Sequence, residues 1–113
     1  MRTLTLPLKR KWFDMIKSGV KKEEYREIKS KYLDMFCNKI KVHEPNKYNE
    51  FSVGYKLRWN IEYDTLVFTL GYPKADDAER RLVFKNPSIR IGTGRPEWGA
   101  EPGKIYFVIT WEN

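Results

Sequence analysis

The stretch Gly19-Val20-Lys21-Lys22-Glu23-Glu24-Tyr25-Arg26 gathers the residue types of this chain best suited to handling a polar guest. Glu24-Tyr25-Arg26 alternates like a strand, which puts Glu24 and Arg26 on one face. A carboxylate and a planar guanidinium so placed pair with each other or, in a partly dry site, orient a ligand through charge-assisted hydrogen bonds. Lys21 adds an ammonium, but strict alternation turns it to the opposite face. The three groups converge only if Lys21 lies in a turn or a bulge intervenes. Two readings stand, a binding site and a structural ion pair.

The loop Gly92-Thr93-Gly94-Arg95-Pro96-Glu97-Trp98-Gly99-Ala100 is the second candidate. Pro96 and the following glycine oppose the helix that a dinucleotide fingerprint must open, and the lysine and hydroxyl pair of a P-loop is missing. What the loop offers is backbone N–H groups, Arg90 and Arg95, and the flat ring of Trp98. Base stacking on such a ring is worth about 1–3 kcal/mol. The alternative is a Trp98 that folds inward and plugs the end of a barrel. Trp12, Trp59 and Trp111 fall on apolar stripes and read as core.

His43 is the only histidine and Cys37 the only cysteine, so no second pair completes a tetrahedral Cys/His metal set, no metal site is expected, and an intrachain disulfide is impossible. Cys37 sits among Leu33, Met35, Phe36 and Ile40 and reads as a small core thiol. No nucleophile elbow accompanies His43, which leaves a histidine-dependent triad without support. No cofactor is expected.

The net charge of +7 is unevenly placed: residues 1–41 hold 12 Lys or Arg against 5 Asp or Glu, and the remainder balances at 10 against 10. A basic region of this kind attracts polyanions, among which nucleic acid is the commonest in the cytosol. The same charge would also suit a solvated lysine-rich surface. At 113 residues, with 41% hydrophobic and 15% aromatic content, the chain is expected to be one globular domain, 1–113. It shows neither a signal peptide nor an apolar run of about 20 residues, so a cytoplasmic, membrane-free protein is expected.

The elements that must position these groups follow from pattern. Arg2 to Leu6 reads as a first strand, and Pro7 as the first turn of a helix that runs to about Ser18 on the apolar stripe Leu8, Trp12, Met15 and Ile16. Gly19 suits the left-handed residue past its end, and Lys17 its negative pole. A second helix is expected over Ile28 to Asn38, with Ser30 as cap, followed by a mixed segment with a loop at His43 to Lys47. Strands follow at Lys56–Tyr63, Thr65–Leu70, Arg80–Lys85, Ser88–Ile91 and Lys104–Trp111, with a break at Asn86-Pro87 and a long loop from Gly92 to Gly103. Two helices ahead of several strands make an α+β arrangement, for which a small, strongly bent sheet or barrel is economical.

The pattern Gly19-x-Lys21-x-x-Glu24-x-Arg26, behind a helix carrying Trp12, Ile16 and Lys17, resembles the signature of the ASCH domain of the PUA-like superfamily. The stretch Ile91 to Ala100 and the closing strand are similar to bacterial members, which extends the resemblance across most of the chain. It implies a PUA-like β-barrel with the two helices packed at its rim, and a cleft that receives RNA or a nucleotide. Lys9, Lys17, Lys21 and Lys22 would then meet phosphates, Glu24 and Arg26 a base or ribose, and Arg95 with Trp98 would close over it. Some ASCH-like proteins are amidohydrolases of N4-acylated cytidine that use a lysine like Lys21, a threonine where this chain has Glu24, and a later carboxylate. Lys21 and Glu24 are thus the catalytic candidates, but loss of the threonine hydroxyl removes the nucleophile, or its equivalent, that the resemblance implies. Other members are ribonucleases. The resemblance therefore favours a binding module over an enzyme.

Overall fold

The computed structural model describes residues 2–43 and 53–113, with side chains over 2–38 and 57–113. The chain forms two compact units, Met1–Glu27 with Glu62–Asn113, and Ile28–Ile61. Together they give an α+β protein.

The first unit is a five-stranded sheet in the order β1-β5-β6-β7-β2. Its strands are β1 (Thr3–Leu8), β2 (Glu24–Glu27), β5 (Thr65–Leu70), β6 (Arg81–Thr93) and β7 (Ile105–Glu112), with helix α1 (Arg10–Lys17) between β1 and β2. β1 runs parallel to β5, while the remaining pairs are antiparallel. Leu4, Leu6, Leu66, Phe68, Phe107 and Ile109 are fully buried and supply the main core with Phe13 and Ile16 of α1. Trp111, half-buried, packs its ring against Phe68 and Phe84 at ring separations of 5.0 and 5.3 Å, at the margin of the core.

Three expectations for this unit are corrected. Pro7 belongs to β1 and the helix begins only at Arg10. The alternation of Leu4 and Leu6 continues to a buried Leu8 opposite Leu70, and a proline without N–H is tolerated because β1 is an edge strand. Asn86-Pro87 does not break the strand: β6 passes through it with a register shift between Lys85 and Ser88, and Asn86 takes φ +50°. That bulge bends one strand so that its first part pairs with β5 and its second with β7. β6 also absorbs the start of the expected loop, up to Thr93, and a 3₁₀ turn at Pro96–Trp98 occupies more of it. Strand β5 and its hairpin with the first half of β6 form as expected.

β7 is buried on both faces from Tyr106 to Val108 and Ile109. Phe107 and Ile109 face the main core. Tyr106 and Val108 point the other way, where Ala100 and Tyr25 complete a second, smaller cluster. The chain from Gly94 to Ala100 is the strap over that outer face.

The second unit holds α2 (Ser30–Phe36) and the antiparallel ribbon of β3 (Cys37–His43) with β4 (Val53–Trp59). Ser30 is the first helical residue rather than the cap; Lys29 takes the capping position with no side-chain bond. The strand expected at Lys56–Tyr63 starts earlier, at Val53, and stops at Trp59; Leu57 and Trp59 are exposed. A two-stranded ribbon has few residues with which to cover its faces. Asn60 instead bonds back to the Phe36 carbonyl and the Asn38 side chain. The loop expected at His43 to Lys47 lies outside the described residues beyond His43. Cys37 is half-buried, and burial raises its thiol pKa, away from thiolate chemistry.

Candidate functional site

Helix α1 ends in a way that delivers Lys21. Ser18 and Gly19 close the last turn on the carbonyls of Asp14 and Ile16, and Gly19 takes φ +83°. The chain then reverses, and the Lys21 N–H returns to the Met15 carbonyl at 3.0 Å. Lys21 thus precedes β2 and is free of its alternation, which is the condition for the three charged groups to meet.

They do meet. Across the β2–β7 ladder Glu24 stands opposite Ile109 and Arg26 opposite Phe107, on the core face. Lys21 is 1% exposed and Glu24 6%. Lys21 Nζ lies 3.2 Å from Glu24 Oε1, and the Arg26 guanidinium holds Glu24 Oε2 at 2.7 and 3.0 Å. The carboxylate is shared by two cations, one on each oxygen. Arg26 also donates to the Pro7 carbonyl at 2.7 Å. Since β1 and β2 are the two edges of the sheet, this side chain spans a gap that no backbone ladder crosses among the described residues.

Lys21 reaches the strap as well. Nζ donates to the Trp98 carbonyl at 2.6 Å and lies 5.1 Å from the Trp12 ring centroid and 4.8 Å from that of Tyr25. Burial pushes its pKa below the ordinary lysine value, opposed by the Glu24 charge. The strap is fastened at two further points. Tyr25, on the opposite face of β2 from Glu24, donates to Glu23 at 2.8 Å and accepts the Arg95 N–H at 3.0 Å. Gly94 lies so close to the Tyr25 ring that a β-carbon there would come within 2.5 Å of it, and one on Gly99 (φ +103°) would come within 2.9 Å of Trp12. Both glycines are required by close approach. Trp12 is half-buried beneath Gly99.

On the outside of this clasp lie Arg95, whose guanidinium sits 4.8 Å above the Trp98 ring, and Arg90, paired with Glu23 at 3.0 Å. Trp98 is half-buried, neither plugged inward nor standing free. Arg95 pairs with Glu97 only loosely, at 3.6 Å between exposed side chains. Lys9, Lys17 and Lys22 are exposed. Lys9 precedes α1 and Lys17 ends it, and Lys17 turns to the flank of the helix away from Trp12. The structure therefore gathers Lys21, Glu24, Arg26, Arg95 and Trp98, and leaves Lys9 and Lys17 apart from them. Sequence reasoning passed over Tyr25, although its place between Glu24 and Arg26 already assigns it to the opposite face.

The Tyr25 hydroxyl makes a pH prediction. Burial and the Glu23 partner push its pKa from 10.0 up to about 12. Between these values the folded state keeps a proton that the unfolded state has lost, so stability falls as pH rises through this window. Urea midpoints of the wild type should drop from about pH 10 to about 12, and Tyr25→Phe should flatten that limb. An unchanged limb in the variant would assign the drop to other groups.

Among the described residues no helix is long and apolar enough to cross a membrane, and no group of His, Cys, Asp or Glu is arranged to hold a metal ion. Comparison of the chain with protein-family models, curated proteins and solved structures returns no match.

Proposed function

We propose that this protein is an RNA- or nucleotide-binding module of the ASCH type, built on a small bent barrel whose open seam is fastened by Lys21, Glu24 and Arg26. The observation that carries this reading is the Arg95–Trp98 surface, a guanidinium stacked on a half-exposed indole and held in place from beneath by a buried ammonium. Lys21, Glu24 and Arg26 act as positioning residues, since their charges are already spent on one another and on backbone carbonyls. Arg95 and Lys22 meet phosphates, and Trp98 offers the face for a base.

Two phosphate contacts to a single strand give a salt slope of about −1.4, so affinity for a short single-stranded RNA should fall about sevenfold between about 50 and 200 mM salt. Trp98→Ala should weaken binding by about 1–3 kcal/mol. Fluorescence anisotropy with labelled RNA measures both. Binding that is flat with salt, or indifferent to Trp98→Ala, would remove the reading.

The hydrolase alternative needs a nucleophile beside Lys21. Position 24 supplies a carboxylate with both oxygens occupied, which gives that chemistry no support.

A further inference from the structure

The flank of α1 turned away from Trp12 lines a separate cleft of about 400 Å³. Arg10, Asp14 and Lys17 of α1 face Glu79 and Arg80 of the 3₁₀ turn Ala78–Arg80 across it. Phe13 and Leu70 provide its apolar lining. The volume lies within the range of small-molecule sites, roughly 300–1,000 Å³.

The charges lining this cleft are incompletely matched. Arg10 and Asp14 are 3.8 Å apart and more than half exposed, so they hold each other weakly. Arg80 pairs at 3.1 Å with Asp77, and Lys17 has no ion pair among the described residues. An inorganic anion would use the three cations alone. Asp14 and Glu79 repel it and call for donors, while Phe13 and Leu70 call for an apolar surface. One guest answers all of these: phosphates for Arg10, Lys17 and Arg80, an exocyclic amine or ribose hydroxyls for the carboxylates, and a flat base for the apolar lining.

We propose that this cleft binds a nucleoside phosphate. The site is separate from the Trp98 surface and does not depend on strand binding there. The probe is ADP, followed through the backbone amide shifts of ¹⁵N-labelled protein, with adenosine and pyrophosphate as partial ligands. ADP should give saturable shifts at Arg10, Asp14, Lys17, Leu70 and Arg80, and each partial ligand should bind about tenfold or more weakly. The exposed double substitution Lys17→Ala with Arg80→Ala should weaken ADP by at least about tenfold while leaving thermal unfolding unchanged. Trp98→Ala should leave ADP binding intact, which separates failure here from failure of the RNA reading. No saturation at millimolar ADP, shifts centred elsewhere, or affinity unaltered by the double substitution would overturn the proposal. Pyrophosphate binding as tightly as ADP would overturn it too, by reducing the cleft to a plain anion site.

Discussion

Glu24→Ala is expected to destabilise the protein by about 3–5 kcal/mol, the range seen when one member of a buried ion pair is removed. The reason lies in the sharing. Each Glu24 oxygen holds a different cation, so the substitution strands Lys21, at 1% exposure, and Arg26 together. A buried ammonium without a counter-charge must either lose its proton or draw in water, and both undo the packing of Trp12, Tyr25 and the strap. Against a total stability of about 5–15 kcal/mol, this is a large fraction. Glu24→Gln keeps the size and one acceptor but not the charge, and should fall between wild type and Glu24→Ala. Urea unfolding of the three proteins decides the matter. A loss below about 1 kcal/mol for Glu24→Ala would mean that the pair behaves as a solvated surface bridge.

Lys21→Ala should cost less, about 2–4 kcal/mol, through the space left between Trp12 and Tyr25 and the loss of the donor to the Trp98 carbonyl. Glu24 retains Arg26, so no charge is left wholly unpaired. The damage should be local. Amides of Trp98, Gly99 and Ala100, which bond to the Arg95 and Pro96 carbonyls, should exchange faster, while those of β5 and β6 change only as far as global stability does. pH provides a second readout. Because burial lowers the Lys21 pKa, the folded state gives up this proton before the unfolded state, and the cost of burying the charge, present at neutral pH, is relieved as pH rises toward the ordinary value of 10.5. Lys21→Ala should lack that relief. Equal exchange across the whole sheet would show that Lys21 supports the entire unit rather than the strap.

How much of this could be read from sequence depends on the range of each interaction. Alternation over three residues placed Glu24 and Arg26 on one face, and the stop at Gly19 was visible because a left-handed residue follows a helix so regularly. Strand β5 was legible from its apolar, β-branched run. The burial of Lys21 was not, since the Trp98 carbonyl that it reaches lies 77 residues further along the chain and lysine is seldom buried. Pro7 misled because its local preference for a helix start competes with an edge-strand role that exists only once β5 is alongside. Asn86-Pro87 misled in the same way: two breaker residues mark a bulge when partners lie on either side of the bend. The parallel β1–β5 pairing has no local signature at all.

The ladder between β2 and β7 joins residues distant in the chain, with Glu27 opposite Tyr106 and Glu24 opposite Ile109. During synthesis from the N-terminus, at about 5–20 residues per second, β2 leaves the ribosome seconds before the strand it must lie against. Until then its acid and its two bases lack the strand and the strap that bury them in the folded unit. During synthesis the seam therefore cannot close before β7 is available, and a nascent chain halted short of residue 105 is expected to keep it open.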